Sequence, residues 1–322
     1  MARAKLAALG AVTFDAFLAG EAFRAKRDVR SYDYVEQFPV GEKIEVDKVV
    51  FGTGGGAANA AVTFARQGLE SGFLGKVGDD LPGREILNTL KAEGVNTRLV
   101  ACDLDSPTGY STVLLTPGGE RTVLVHRGAS EDMQVADFDW TQLEGDWLYI
   151  TSLGGNIELL KRAINEASKK QMKIALDAGS KELAAADHWR GLVPKLTLVK
   201  GNKEEMRQLF GPADVDDIIK KAAEHCQYVV VTNGPAGAWA SDGQQLYRMG
   251  LYRDVEVIDR TGAGDAFGSG LVAGLARGQS LAEAMRLGSA NATAVVQQIG
   301  SQAGIIRHPA KLSAVQIQTR PL

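Results

Sequence analysis

An acid set directly behind two glycines at the start of a helix can take up a proton beside a bound anion. Residues 257–278, VIDRTGAGDAFGSGLVAGLARG, carry that arrangement. Gly262, Ala263 and Gly264 are small enough to let the backbone approach a ligand closely. Residues 265–277 read as a helix whose first turn begins at the glycines. N–H groups at a helix start have no partner of their own and, with the helix dipole, attract anions. Asp265 in that turn can cap the helix. It can equally deprotonate an attacking hydroxyl while the adjacent N–H groups hold phosphoryl oxygens. On the residues alone both readings stand. Gly268 and Gly270 lie inside the helix, where each costs about 1 kcal/mol against alanine. Their presence predicts that this helix packs closely on a neighbour.

A second glycine loop, GTGGGAAN at residues 52–59, follows an apolar strand and opens another helix. Gly52, Gly54 and Ala57 fit a loose dinucleotide fingerprint, the mark of a Rossmann dehydrogenase. That reading needs an acid closing a second strand about 20 residues later. Asp79 and Asp80 instead begin a loop after GKVG. Asp15, in GAVTFD after the first strand, is either a turn acid or a carboxylate for ligand hydroxyls. Asn59 is likewise either a helix cap or an amide partner for a ligand. Arg127 leaves an apolar strand in VLVHRGAS, and Asn202 with Glu205 reads alone as a helix start with favourable first-turn acids. No GxxxxGK[ST] motif and no HRD…DFG set occurs, which disfavours P-loop kinases and protein kinases.

The elements that must position these residues alternate between apolar runs and helical patterns, the mark of an α/β fold with a mostly parallel sheet. Buried strands are expected in LAALG, GFLGKVG, WLYITSL, KIALDAG, LTLVKGN and YVVVTNG, with helices over 57–67, 82–93, 157–170, 204–210 and 214–225. Pro82 and Pro212 suit helix starts, and Gly68, Gly94 and Gly211 suit helix ends. Two stretches break the rhythm. VEQFPVGEKIEVDKVVF (35–51) alternates with the period of half-buried strands, and GYSTVLLTPGGERTVLVHR (109–127) reads as a hairpin turning at Pro117-Gly118-Gly119. The two are expected to meet as a small sheet with one free face, serving as a lid or a dimer surface.

With 322 residues, 45% hydrophobic and 23% charged, the chain can form a packed core. A net charge of -3 offers no general field for nucleic acid or an acidic membrane. Cys102 and Cys226 form no CxxC, and His126, His188, His225 and His308 form no metal-ligand spacing. Such usage fits a reducing cytoplasm. The apolar N-terminal stretch is interrupted by Gly10, Thr13 and Asp15, too early for a membrane span. It reads as a first buried strand.

DRTGAGDAF resembles the C-terminal signature of the ribokinase-like (PfkB) carbohydrate kinases, usually DTxGAGDxF, with Arg260 in place of the common Thr. Residues 53–97 resemble the family's other signature. The resemblance implies a three-layer α/β/α sandwich, one domain over 1–322, with lid segments at 16–50 and 107–127. It implies ATP-dependent phosphorylation of a sugar hydroxyl, with Asp265 as base and Gly262, Ala263 and Gly264 as anion hole. Asp15, Gly54, Gly55 and Asn59 would hold the sugar, and Arg127 would tilt the choice toward fructose or keto-deoxy sugar acids. Asn202, Thr232, Gly234, Gly237 and Asn291 would meet the nucleotide, and Glu205 would organise Mg²⁺ through water. Asp259 and Thr261 match positions that hold a monovalent cation such as K⁺. A homodimer through the lid also fits. The charged stretch 21–37 is longer and more basic than a minimal lid strand, which leaves the sugar open. A nucleoside kinase of the same fold, a non-turning-over sensor and a dehydrogenase are the rivals.

Overall fold

The apolar runs form six neighbouring strands of one nine-stranded sheet, out to its edge at Glu70–Leu74. The structure is a computed structural model that describes residues 3–28, 33–252, 255–310 and 315–322. Six strands lie parallel, in the spatial order Tyr228–Thr232, Leu198–Asn202, Lys173–Asp177, Trp147–Ile150, Lys5–Leu9 and Glu70–Leu74. All six were legible as apolar runs. Strands Ala238–Ser241, Gln245–Met249 and Ile317–Pro321 extend the sheet antiparallel beyond Tyr228–Thr232. The outermost of these went unread because it is largely exposed and lacks an apolar run.

Side chains alternate across a strand, and the core divides accordingly. Leu6, Ala8, Trp147, Tyr149, Ala175, Leu198 and Val230 face the helices Gly56–Arg66, Ala263–Ala276 and Leu281–Val296. Ala7, Leu9, Leu148, Ile150, Leu176 and Val199 face Ile157–Lys169, Lys203–Phe210 and Val215–Ala223. The result is a three-layer α/β/α sandwich. Pro82 sits in the first turn of the Leu81–Ala92 helix, which Asp80 caps by accepting from Gly83 N at 2.8 Å, whereas Pro212 does not start a helix: the next one, Val215–Ala223, is capped by Asp214.

Beside the sandwich stands a four-stranded sheet in the order Arg121–His126, Tyr110–Leu115, Thr13–Ala19 and Lys48–Gly54. The hairpin turns at 117–119 as expected, closed by Thr116 N donating to Glu120 O at 2.9 Å. One face of this sheet buries Phe17, Val113 and Leu115. On the other, Phe14 lies 5.8 Å from Phe51 and 5.9 Å from Tyr110 between ring centroids. The alternation over 35–51 is a correction. Only Tyr34–Val35 and Lys48–Gly54 pair, and 36–47 form no strand. Pro39 and a turn at Gly41 break the run, and Val40 is fully open to solvent. Within the charged stretch 21–37, residues 29–32 lie outside the described residues.

Candidate active site

The two glycine loops meet. Asn59, in the first turns of the Gly56–Arg66 helix, donates through Nδ2 to Asp265 Oδ2 at 2.9 Å. Its Oδ1 accepts from Ser301 Oγ and Gln302 Nε2, both at 3.1 Å, so the amide cannot flip without losing three bonds. Asn59 therefore aims Asp265, and this amide proton is not offered to a sugar. Gly262 precedes the Ala263–Ala276 helix in the left-handed region at φ 80°, and a Cβ there would lie 2.6 Å from Ser301 Cβ. Ala266 N is bonded to Gly262 O at 2.8 Å, whereas among the described residues the N–H groups of Gly264 and Asp265 have no backbone acceptor. They are the free donors that an anion hole requires. Burial pushes the Asp265 carboxyl above the ordinary carboxylate range; Asp177 adds to the rise, and Asn59 and Lys200 oppose it.

Between the loops lies a second acid. Asp15, 5% exposed on the Thr13–Ala19 strand, has no partner for Oδ1 among the described residues. Burial raises its carboxyl, the Thr13 and Ser111 hydroxyls partly offset this, and Asp259 adds to it. Gly54 is required here: a Cβ would lie 1.9 Å from Asp15 Oδ2. A Cβ on Gly56 would lie 3.3 Å from Asp265 Oδ1 and from Thr151 Cβ. Positions 54 and 56 are separated by at most about 7 Å of chain. The glycine loop thus touches Asp15 at one end and Asp265 at the other. Gly55, at φ 92°, packs against the backbone of Ala11 and Val12. Around these loops the hydroxyls of Thr53, Thr151 and Thr261 are also buried without a partner among the described residues. Unpartnered buried polar atoms carry a cost of about 1–3 kcal/mol each unless a ligand or water meets them.

The remaining expected residues are placed less uniformly. Asn202 and Glu205 form a capping box, Asn202 Oδ1 accepting from Glu204 N and Glu205 N at 3.0 Å, while Glu205 Oε2 accepts from Asn202 N at 2.6 Å. Glu205 also lies in the field of the site: burial raises its carboxyl, Asn202 N–H lowers it, and Asp177, Lys200 and Asp265 act on it. Thr232 ends its strand, with Gly234 and Gly237 in the turn that follows. A Cβ on Gly237 would meet Met249 O at 2.1 Å, so this glycine serves the turn's packing. Arg127 is exposed just past the hairpin. Asp259 is fully buried, bonded by Thr261 N at 2.8 Å and Gly300 N at 3.0 Å. Asn291, read as a nucleotide contact, is 0% exposed and ties two helices together, donating to Ala266 O at 2.9 Å and accepting from Ile306 N at 3.0 Å. Its side chain has no face open to a nucleotide.

Three residues of the site were missed. Lys200 Nζ lies 2.5 Å from Asp177 Oδ2, and Tyr149 O–H donates to the same oxygen at 3.0 Å. Strand period places Tyr149, Asp177 and Lys200 on the face that packs the Ala263–Ala276 helix, and Asp177 and Lys200 are register partners. A signal existed. Charges at the C-terminal ends of buried parallel strands are where ligands of open α/β sheets bind. Gly268 answers the earlier puzzle: a Cβ would lie 2.5 Å from Tyr149 Oη and 2.8 Å from Lys200 Cδ. At Gly270 it would lie 3.0 Å from Gly288 Cα, so the helix does pack closely on a neighbour.

Comparison with known proteins agrees with this arrangement. Residues 26–307 match the description "pfkB family carbohydrate kinase". The chain belongs to this family. It is similar to a 5-dehydro-2-deoxygluconokinase of Bacillus anthracis, 28% identical over 76% of this chain and 80% of the relative. It is also similar to a fructokinase of Klebsiella pneumoniae, 32% identical over 69% of this chain and 76% of the relative. Among solved structures, ribokinase from Cryptococcus neoformans var. grubii in complex with ADP superposes with a TM-score of 0.73 at 20% identity, covering 95% of this chain and 98% of that one. The kinase is thus an ATP-dependent phosphotransferase with the ribokinase-like fold, which removes the dehydrogenase reading.

Proposed function

We propose that this kinase phosphorylates a primary hydroxyl of a small sugar or sugar acid held between Asp15 and Asp265. The observation that carries the reading is the unpartnered Asp15 Oδ1, buried at one end of a glycine loop whose other end touches Asp265. A sugar hydroxyl donating to that oxygen fills the empty valence. Gly54 and Gly55 let the sugar lie against the backbone, and Arg127 stands on the hairpin side. Asp265 takes the proton of the attacking hydroxyl as it approaches the γ-phosphorus, while the free N–H groups of Gly264 and Asp265 hold the phosphoryl oxygens. Positioning and charge stabilisation account for most of the catalysis in such transfers.

The nucleotide is read over the strand ends from Asn202 to Gly237, with Thr232 and Gly234 lining its side. Among the described residues no group of three or more acidic, His or Cys side chains is disposed to hold a metal. Mg²⁺ fits here only as a phosphate-bound, largely hydrated ion, with Glu205 meeting its water. It would neutralise the charge of the phosphates. K⁺ fits at Asp259 and the unpartnered Thr261 hydroxyl, where it would brace the chain just before the anion hole.

The small sheet serves as the lid over the sugar, within a single domain. Its outer face leaves Phe51 62% and Leu124 59% exposed beside the Phe14–Tyr110 contact. A second copy covering this face would make a homodimer, which a molar mass measured in solution can refute. ATP consumption across fructose, ribose, 5-dehydro-2-deoxygluconate, other keto-deoxy sugar acids and nucleosides, read as kcat/KM, tests the function. The best values should fall among fructose and the sugar acids. A nucleoside optimum overturns the substrate class, and binding without turnover on any of them makes the protein a sensor.

A further inference from the structure

A buried ion pair with a shared hydroxyl lies behind the catalytic helix, and the transfer described so far makes no use of it. The side chains of Lys200 and Asp177 are 8% and 11% exposed. Taking two such ions out of water costs several kcal/mol each after relaxation, and apolar residues of similar volume often pack the same space as well or better. Stability therefore gives no reason for charges at these two strand ends. Their surroundings do. A Cβ on Gly264 would come 3.9 Å from Lys200 Nζ, so the ammonium sits directly under the first turn of the catalytic helix. Gly268 is what lets the lysine stem in, since any side chain there would collide with its Cδ. Among the described residues Lys200 donates to Asp177 alone, so the rest of the ammonium is turned to no other fixed acceptor.

The groups facing Asp265 come from five elements: Asn59 from the first glycine helix, Tyr149, Asp177 and Lys200 from three neighbouring strands, and Glu205 from the following helix. Three of the six groups, Asp265 included, are carboxylic acids, and Lys200 is the cation among them. We propose that Lys200, braced by Asp177 and Tyr149, is a positioning residue of the transfer site that keeps Asp265 ionised and so able to accept the substrate proton. Burial and two neighbouring carboxylates favour the neutral acid, which cannot act as a base. One ammonium under the helix start opposes that preference, together with the Asn59 amide. Asp177 has two opposed effects: it anchors the ammonium, and its own charge works against ionisation of Asp265. Burial opposes the charge on Lys200 most strongly, but Asp177, with Asp265 and Glu205, together raises the ammonium above its ordinary value, so the lysine stays protonated through the neutral range.

The inference deepens the reading of Asp265 as the base and rests on it. The test is the pH profile of kcat/KM for the full chain and the variants Lys200→Met, Lys200→Arg, Asp177→Asn and Glu205→Gln, with ADP-induced thermal shifts as a control for folding. Lys200→Met should move the acid limb to higher pH by about one unit or more, the size expected when an adjacent opposite charge is removed. Lys200→Arg should restore most of that shift. Asp177→Asn should move the limb the opposite way, to lower pH, even though it too breaks the ion pair. Glu205→Gln should keep an acid limb, at or below its original position. A pair that is merely structural would lower activity at every pH and leave the limb fixed in all variants, which overturns the proposal. Should Lys200→Met fail to fold, Asp177→Asn and Lys200→Arg decide it alone: a limb that stays put or rises in Asp177→Asn overturns it. Asp265→Asn separates the two failures. Turnover in that variant removes the base itself, whereas a dead Asp265→Asn with immobile limbs removes only the role of Lys200.

Discussion

Asp15 in the small sheet and Asp177 in the large one are both buried carboxylates near the catalytic helix, yet their surroundings differ. Asp177 is met by an ammonium and a phenol on one oxygen. Among the described residues Asp15 has only the Thr13 and Ser111 hydroxyls, no cation, and one oxygen with no partner. A buried acid whose needs the protein meets belongs to the framework of a site. One left short of partners is waiting for a ligand. Asp265 stands between the two cases, bonded by Asn59 on one oxygen and close to the free N–H groups of its own helix start. The largest test of this comparison is Asp265→Asn. It should reduce kcat by about 10²–10⁴-fold, the range attributed to a positioned general base, while the thermal shift by ADP persists. A near wild-type kcat would show that the framework and not the acid carries turnover.

Asp15→Asn sharpens the contrast through two separate readouts. It exchanges a charged acceptor for a neutral one, so KM for the sugar should rise by about 10–100-fold, as expected for a lost charge-assisted hydrogen bond. KM for ATP should stay put. Stability should move the other way. The folded-state value for Asp15 lies above its ordinary 3.8, so the fold favours the neutral acid. That preference is fully present below the ordinary value and is lost as pH rises through the raised one, after which the buried charge burdens the fold. Asp15→Asn should thus melt higher than the parent at neutral pH and match it at acid pH. A lower melting point at neutral pH would make Asp15 part of the framework, like Asp177.

The same contrast explains what the chain disclosed before folding. The six parallel strands were readable because buried strands must be apolar on both faces, and helix ends because Gly68, Gly94 and Gly211 all take positive φ. Asp265 was read from its place directly behind two glycines, and Asp15 from its place after the first strand, where the family resemblance puts a carboxylate. Asp177 and Lys200 were not, since their meaning comes from register between strands 23 positions apart, where Asp177 pairs with Lys200. Asn59 was read as a ligand for sugar because its partners Ser301 and Gln302 lie more than 200 positions away. Asn291 was misplaced for a related reason: only the packing of two helices shows that its amide is enclosed.

A smaller effect separates two glycines of the catalytic helix. At Gly268 a methyl group would intrude on Tyr149 and Lys200, and overpacking of this kind typically costs about 1–3 kcal/mol. The helix gain of alanine over glycine, about 1 kcal/mol, offsets only part of it. At Gly264 the nearest atom stands at 3.9 Å, an ordinary contact. Gly268→Ala should therefore lower the denaturation midpoint, whereas Gly264→Ala should leave it level or raise it. Equal midpoints would mean that the Lys200–Tyr149 cluster yields easily and is not a rigid framework.

The smallest effect is expected where the chain departs from the usual DTxGAGDxF. Arg260 Nε lies 2.9 Å from Glu120 Oε1 at the hairpin tip, linking the small sheet to the segment that leads into the Gly262–Gly264 loop. Both side chains are open to water, 47% and 69% exposed, and exposed pairs are worth about 0–1 kcal/mol. The backbone makes the same connection without charge, since Gly119 packs within reach of Val257 O and Ile258 O. Arg260→Thr should thus change stability by less than about 1 kcal/mol, with kcat essentially unaltered. Salt should narrow even that difference, because exposed charges are screened. A large loss of kcat in Arg260→Thr, with the denaturation midpoint unmoved, would mean that the ion pair transmits the lid's position to the catalytic loop. The link between the two regions would then lie in this exposed pair and not in the packed backbone beneath it.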